Sequence, residues 1–550
     1  FPTAKPIVKD LKKLADEAIL GYTSPTEEYY DAVISWMKRR HDFDVKKEWI
    51  IQTPGVVNAL ALLIEATTKP GDGVIIMSPV YYPFDMTVVA TSRHIVYCPL
   101  INNGDRYEID YHNLAEKAKS PKNTALLFCN PHNPIGRVWS KDELEKVANI
   151  CCENGVFIID DEIHNDLIMP GYEHTVMANV HERAKNNIAV CTAPSKTFNL
   201  AGLQCSNIII PNDDFRARAE ACNLMNMQMH LNIFAYTACT SAYNKCEGWL
   251  EELIKVIADN AKCVEDFMAE HFPEIRVYPL EGTYLQWLDM RELGMTHCEL
   301  KEMLENANIY LDNGEMFGPF GRGFQRINLA CARTTLEKML VRFKNAVEDV
   351  RAKWEREGGP YHKTLSVGDT LEGFVYESAT KISCDLSKTV EKPTLLVFSR
   401  FFECDITQKM LKIMKAAYPA VKAMGCDLKF IIQSDIQTVA PSQSKYPFEL
   451  IADPEAKLYD RYNVFEADSA INMVAGDKMF EAMVGKDIKK LLGTDIMKAV
   501  YSNSSDDGKR QLQLCAFIGV DRSMKVIHSH YSKTIADFPN IKELISAMRN

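Results

Sequence analysis

Lys196 stands in the run APSKTFNLAGLQ, directly after the apolar stretch Ile188–Thr192, with Ser195 before it and Thr197 after it. A lysine delivered by the end of a buried strand can act as an amine nucleophile, because partial burial favours the neutral form that condenses with a carbonyl. A loop lysine is more often simply solvated, so its neighbours decide. Asp160, Asp161 and Glu162 follow the run VFII, and adjacent acids at the end of a buried strand are costly unless each finds a partner. Asn133 lies in NPHNPIG after TALLFC, where Pro134 and Gly136 force a tight loop and the side-chain amide can donate. An amine, a carboxylate and an amide are the groups a pyridine aldehyde needs: an imine partner, a counter-charge for the ring nitrogen and a donor to the phenolic oxygen. Pyridoxal phosphate is the cofactor with that chemistry, and the carboxylate keeps its ring an electron sink. Asp161 is the candidate for the ring nitrogen, Asp160 the second choice, and Glu162 reads as a structural acid.

Further residues fit the same ligand. His164, three residues beyond Asp161, can reach the phenolic oxygen; a structural histidine is the alternative. Gln52–Gly55 lead into a helical run beginning at Val56, so the amides of Gly55, Val56 and Val57 form a phosphate cradle of the kind found at helix N-termini. Tyr81 in SPVYYPF could stack on the ring, with Tyr82 as its competitor. Arg326 in FQRINLA could clamp a substrate carboxylate through its two-donor fork, unless it serves an ordinary salt bridge.

The elements that must position these residues are legible as alternation. Residues 73–77, 95–99, 124–129, 156–160, 188–192 and 207–210 read as short buried strands bounded by turn residues. Between two of them, Ser140 and Glu143 form a capping box and Gly155 ends the helix. Strand–helix–strand repetition predicts a mostly parallel doubly wound α/β sheet, whose ligands bind beyond the carboxyl ends of the strands. Each candidate from Tyr81 to Lys196 falls at such an end. RAKWEREGGP, residues 351–360, ends a charged helix and marks a domain boundary. A second α/β pattern follows, with strands at 393–400 and 427–433, a helix from about Thr407, and a hairpin over 513–520 and 524–530.

The chain has 550 residues, enough for several structural units. A net charge of −11, with no basic run, gives no footprint for nucleic acid. Small metabolites are the expected ligands. No apolar stretch nears the ~18 residues of a membrane span. The 16 cysteines lack a CxxC pair and lie mostly in apolar runs, so free thiols in a reducing, cytoplasmic compartment are expected. No metal-ligand spacing stands out.

Taken together, GYTSPTEEYYDAVISWMKRRHDFDV, TPGVVNAL, SPVYYPF, NPHNPIGRVW, IDDEIHNDL, APSKTFNLAGLQ and FQRINLACAR resemble, in order, the MalY/PatB-type cystathionine β-lyases of the fold-type-I pyridoxal-phosphate superfamily. The resemblance covers residues 1–355. It implies a large subdomain over about 45–245 and a small one over about 246–355 with the N-terminal segment. It makes Lys196 the Schiff-base lysine and pairs Asp161 with the pyridine nitrogen. Asn133 and His164 flank the phenolic oxygen, and Tyr81 stacks on the ring. Gly55, Val56, Thr192 and Ser195 face the phosphate, and Arg326 binds the α-carboxylate. Tyr22 reaches the phosphate of a neighbouring subunit, which implies a homodimer with shared sites. The implied reaction is β-elimination of a sulfur amino acid to thiol, pyruvate and ammonia. Two departures from the wider superfamily stand out: Ala193 and Gln204 occupy places that often hold serine and arginine. The resemblance further implies a segment ahead of Phe1 that helps close the substrate site.

Residues 364–550 resemble the peroxiredoxin/thioredoxin-like superfamily through LSVGDTLEGFVY, PTLLVFSRFFECD, YPFELIADPEAKLYDRYNVF and AFIGVDRSMKVIHSH. Cys404 takes the place of a peroxidatic thiol at a strand-to-helix turn, where helix N-termini favour thiolates. The peroxiredoxin pattern is broken by Val397 and Phe401, Thr407 replaces a second cysteine, and Glu403 and Asp405 oppose a thiolate by like charge. A non-catalytic binding or dimer-supporting module is therefore preferred to thiol chemistry. Two rivals to the lyase remain: an aminotransferase on the same fold, and a redox-sensing or interaction protein with a vestigial cofactor site.

Overall fold

Short apolar runs buried on both faces build the centre of the first sheet, because a strand covered on both sides carries no polar alternation. In a computed structural model these runs form β1 (Ile50–Thr53), β2 (Gly73–Ile76), β3 (His94–Tyr97), β4 (Asn123–Cys129), β5 (Phe157–Asp161), β6 (Ile188–Thr192) and β7 (Ser206–Ile209), in the order β1-β7-β6-β5-β4-β2-β3. The structure describes residues 1–227, 230–295, 297–318, 321, 323–357, 364–379, 381–454, 456–462, 464, 514–532, 538–539 and 544. The chain divides into two compact units, one of residues 1–293 and 301–350, the other of residues 294–300 and 351–550.

All six expected strands of the first unit form, 188–192 with the expected ends and the other five with ends shifted by one or two residues. Strands β2 to β6 are mutually parallel, while β7 runs antiparallel to β6 and β1 antiparallel to β7. β7 reverses because Ala193–Cys205 holds only a four-residue helix and a three-residue 3₁₀ turn, too little to return the chain by a packed crossover helix. The capping box expected at Ser140 and Glu143 is present, and Gly155 ends that helix with φ 68°.

Two helices matter for the site. Helix α1 (Glu27–His41) is capped by Thr26, whose side chain accepts from Tyr29 N–H. Helix α2 (Val56–Thr67) covers one face of the sheet, its Val56, Ala59, Leu60 and Leu63 packing among Val74, Ile76, Ala125, Leu127, Phe157, Ile159 and Ala189. The sheet side chains alternate, so Phe157 and Ile159 point toward α2 and Asp161 continues their row. Asp160 falls on the opposite face with Ile158.

An antiparallel sheet completes the unit: β8 (Arg276–Val277), β9 (Leu285–Asp289), β10 (Asp312–Asn313) and β11 (Phe324–Asn328), in the order β8-β9-β11-β10. The charged helix Arg333–Glu357 follows; the Gly358–Gly359–Pro360 stop lies outside the described residues.

The second unit holds another seven-stranded sheet: β12 (Val375–Ser378), β13 (Lys381–Asp385), β14 (Thr394–Phe398), β15 (Asp427–Ile432), β16 (Glu449–Ala452), β17 (Ala516–Val520) and β18 (Val526–Tyr531), ordered β13-β12-β16-β15-β14-β17-β18. β14, β15 and β16 are parallel, and β17 and β18 form the expected hairpin, though Gln513 lies outside the described residues. Alternation sends Leu396, Phe398, Ile431 and Ile518 into one core and Leu395, Val397, Phe430 and Phe517 into another. The helix expected from about Thr407 begins two residues earlier, spanning Asp405–Ala423. Among the described residues no helix is long and apolar enough to cross a membrane.

Candidate active site

Strand ends converge on one region of the first unit. Lys196 sits on a single helical turn, Pro194–Thr197, immediately after β6. It is half-buried, and burial lowers its pKa, with Arg326 lowering it further and Asp161 raising it. Asp161, at the last position of β5, is pushed up to about 7 by burial, against the pull of the Ile163 amide and of Lys196. The amine and the acid thus lie within each other's field. Ile163 N–H donates to Asp161 Oδ1 at 3.1 Å.

Asn133 is buried on the loop after β4 and accepts from Arg326: Nη1 stands 2.7 Å from its Oδ1. That leaves the Asn133 amide nitrogen as the donor. Arg326 lies on β11, opposite Trp287 on one side and Asp312 on the other, and Asp312 Oδ2 accepts from its Nη2 at 2.5 Å and its Nε at 3.1 Å. The salt-bridge reading of Arg326 is thus met by Asp312, while its Nη1 reaches Asn133.

His164 is buried, its Nδ1 has no hydrogen-bond partner among the described residues, and burial beside Lys196 and Arg326 holds it at about 3. It is a neutral imidazole across the physiological range. Tyr81 is half-buried and pushed up to about 12, first by burial and then by Tyr82 and Asp161. Tyr82 is exposed, its ring 5.2 Å from that of Tyr81, and of the two it is Tyr81 whose hydroxyl lies in the field of Asp161 and Arg326. Thr192 is buried, its Oγ1 without a hydrogen-bond partner among the described residues, and Ser195 is half-buried beside Lys196.

The phosphate cradle needs one correction. Gly55 adopts φ 94° and its N–H donates to Thr53 O at 2.8 Å, so that amide is already engaged. The amides of Val56 and Val57 belong to the first turn of α2, where N–H groups have no acceptor within the helix. Ala193 is buried, and Gln204 is exposed at φ 54°, ending a 3₁₀ turn. Tyr22 is fully exposed at 113%.

Two contributors carried no sequence signal. Tyr284, just before β9, packs edge-on against His164 with ring centroids 5.7 Å apart. Asp312 orients Arg326 from a two-residue strand. Neither sits in a motif that points to the cofactor: Tyr284 follows the Gly282 turn and Asp312 precedes the Asn313–Gly314 turn, and those signals mark only where the chain bends.

In the second unit, Cys404 caps the helix after β14 and is buried, and Arg400 Nη1 donates to its Sγ at 3.1 Å. Glu403 is exposed, and the side chain of Asp405 lies outside the described residues. The described cysteines are free, all but Cys152, Cys263 and Cys331 fully buried. Among the described residues no cluster of histidine, cysteine and acidic groups could hold a metal ion.

Residues 1–343 match the family described as aminotransferase class I and II. Cystathionine beta-lyase PatB of Bacillus subtilis is 41% identical over 348 residues, covering 63% of this chain and 90% of the relative. The structure of cystalysin from Treponema denticola, which contains pyridoxal 5'-phosphate, is 46% identical, with a TM-score of 0.63 over 64% of this chain and 89% of that one. A pyridoxal-phosphate-bound C-S lyase from Staphylococcus hominis, complexed with L-cycloserine, is 33% identical, with a TM-score of 0.59 over 63% and 86%.

Proposed function

The chain belongs to the class I and II aminotransferase family, and on that premise we propose a pyridoxal-phosphate-dependent carbon–sulfur lyase of the cystathionine β-lyase type. One observation carries the assignment: Lys196, Asp161, Asn133 and Arg326 come from three strand ends and a second sheet, yet act on one another at one place. The site fits the cofactor. Among the described residues, buried His164 Nδ1 and Thr192 Oγ1 have no hydrogen-bond partner, and the first-turn amides of α2, which packs on the sheet face that Asp161 continues, suit a phosphate.

When bound, pyridoxal phosphate supplies an aldehyde for the substrate amine and a ring that takes up the electron pair left at Cα. The protein does the rest. Asp161 would hold the ring nitrogen and favour its protonated form. The Asn133 amide would donate to the phenolic oxygen, with neutral His164 as a second group for it. Arg326, held by Asp312, clamps the substrate α-carboxylate. Lys196, with its pKa lowered by burial, accepts the Cα proton as general base. The Cβ–S bond then breaks, the thiol leaves, and water completes conversion of the remaining fragment to pyruvate and ammonia.

Cystathionine or a cysteine conjugate is the proposed substrate. A homodimer with shared sites is supported by the exposed apolar row Ile19, Leu20 and Tyr22, which gains by being covered. We read residues 364–550 as a thioredoxin-like module, supported by parallel β14 and β15 joined through a helix whose first cap is Cys404. The test is a pyruvate assay on the full chain supplied with pyridoxal phosphate and cystathionine. Pyruvate and thiol released without a keto acid support the lyase; turnover only with a keto acid gives the aminotransferase instead.

A further inference from the structure

Lys196 rides on a four-residue turn with no side-chain N-cap. One helical turn does not hold itself together, since nucleation costs more than its few hydrogen bonds return. Its position must be fixed from outside, and the structure shows one fixture beneath it. Thr197 Oγ1, buried, donates to Asp166 Oδ2 at 2.8 Å. The other oxygen of Asp166 receives Trp36 Nε1 at 2.9 Å and stands 2.8 Å from His41 Nε2. Trp36 and His41 belong to α1, more than 120 residues away in sequence. Asp166, Thr197, Trp36 and His41 are all buried.

We propose that Asp166 is the positioning residue for Lys196: its carboxylate ties the turn Pro194–Thr197 to α1, so that the seating of α1 sets where the lysine amine stands. The inference rests on the reading of Lys196 as the cofactor lysine. The carboxylate is suited to the task. Burial would raise its pKa, but His41, Thr197 and Arg40 hold it below the ordinary range, so it stays an acceptor for three donors. Trp36 is itself clamped, stacked on Tyr243 at 4.8 Å and edge-on to Phe198, the residue that ends the lysine turn, at 5.8 Å. Helix α1 directly follows the segment that carries Tyr22, so the tether also runs from the cofactor lysine to the part of the chain expected to meet a second copy.

The test uses the full chain loaded with pyridoxal phosphate. Thr197→Val keeps the shape of the side chain and removes the donor; Thr197→Ser restores it. Trp36→Phe removes a donor to Asp166 that does not touch the lysine turn through its nitrogen. The readouts are the rate of cofactor release and the visible absorbance of the lysine-bound cofactor. Thr197→Val is expected to release the cofactor about tenfold faster and to shift that band, in line with the loss of a hydrogen bond to a charged group. Thr197→Ser should behave as wild type, and Trp36→Phe should move both readouts in the same direction. Should Thr197→Val fail to fold, Trp36→Phe against wild type decides. Wild-type release and an unmoved band in the folded donor-less variants overturn the inference. Lys196→Ala separates the two claims: borohydride that still fixes the cofactor to that variant overturns the lysine assignment itself, whereas loss of fixation with an inert Thr197→Val overturns only the tether.

Discussion

Arg326 Nη1 donates to Asn133 Oδ1 across 2.7 Å, joining the antiparallel sheet to a loop of the parallel one. The contact ties the group that would grip the substrate to the group that would touch the cofactor. Asp312 supplies the second anchor through Nη2 and Nε. Replacing Arg326 by alanine removes a paired, charge-assisted fork, and KM for the amino-acid substrate should rise by about 100-fold. Asp312→Asn leaves the arginine in place but loosely oriented, so a smaller rise in KM is expected. Steady-state kinetics on the two variants checks both; equal KM values in wild type and Arg326→Ala would remove the carboxylate clamp.

The two neighbouring acids of β5 should separate cleanly by mutation. Strand alternation places Asp161 on the α2 face and Asp160 on the other, where burial and Glu162 push its pKa well up. Asp161→Asn withdraws the charge that favours a protonated ring, and kcat should fall by a factor on the order of 10² to 10³. Asp160→Asn should leave kcat within about threefold and show its cost in stability instead. Rates and thermal midpoints measured side by side on both variants decide; a kcat loss confined to Asp160→Asn would reverse the assignment.

Asp161 also makes a pH prediction for cofactor-stripped protein. Its folded pKa is about 7, against ~3.9 for an unfolded aspartate. A raised folded pKa means the native state binds the proton more tightly. The associated stability is therefore complete below about pH 4 and is lost as pH rises to about 7, up to ~4 kcal/mol. Glu162, raised to about 8, acts in the same sense. Asp161→Asn removes the first contribution, so its urea midpoint should gain on that of wild type between pH 4 and pH 7. A midpoint difference that stays flat over that range would show that Asp161 is ionised throughout.

How much of this was legible beforehand depended on whether a residue's role is local. Lys196, Asp161 and Asn133 could be read because each lies within four residues of the end of an apolar run, and polar groups gathered just past a buried strand are a local pattern. The parity that separates Asp161 from Asp160 needed the strand to reach Asp161, one residue past the expected end, and ends are set by pairing rather than propensity. The reversal of β7 was hidden for a similar reason: its apolar run Ile208–Ile210 reads like those of the parallel strands, and only the short connection from β6 turns it round. Gly55 was read as a free donor, but its amide closes on Thr53, a turn no composition rule specifies. Tyr284 and Asp312 serve the site through contacts made in folding, and Asp166, though inside the run IDDEIHNDL, shows its role only through the side chains that reach it from Trp36, His41 and Thr197.

The loop that carries Asn133 is held by a buried ion cluster, which yields a prediction about stability rather than rate. Arg137 Nε donates to Glu281 Oε2 at 3.0 Å, and its Nη2 donates to Glu143 Oε1 at 2.9 Å. Tyr107 O accepts from Nη1, and the guanidinium lies over the ring of Trp139 at 4.5 Å. Side-chain exposure is 3% for Arg137 and 5% for Glu281, so neither charge has water to fall back on. Arg137→Met fills the same space but leaves Glu281 buried with, among the described residues, Arg106 at 3.4 Å and the Val138 amide at 2.9 Å to answer it. Breaking such a pair from one side costs about 3–5 kcal/mol. Because Glu281 also receives the backbone amide next to Arg137, the damage should reach the loop and weaken cofactor retention as well. Denaturant unfolding of Arg137→Met should show the loss in full, and the double variant Arg137→Met, Glu281→Gln should recover part of it by removing the stranded charge. A double variant no more stable than the single one would mean that the stranded carboxylate is not what the single variant suffers from.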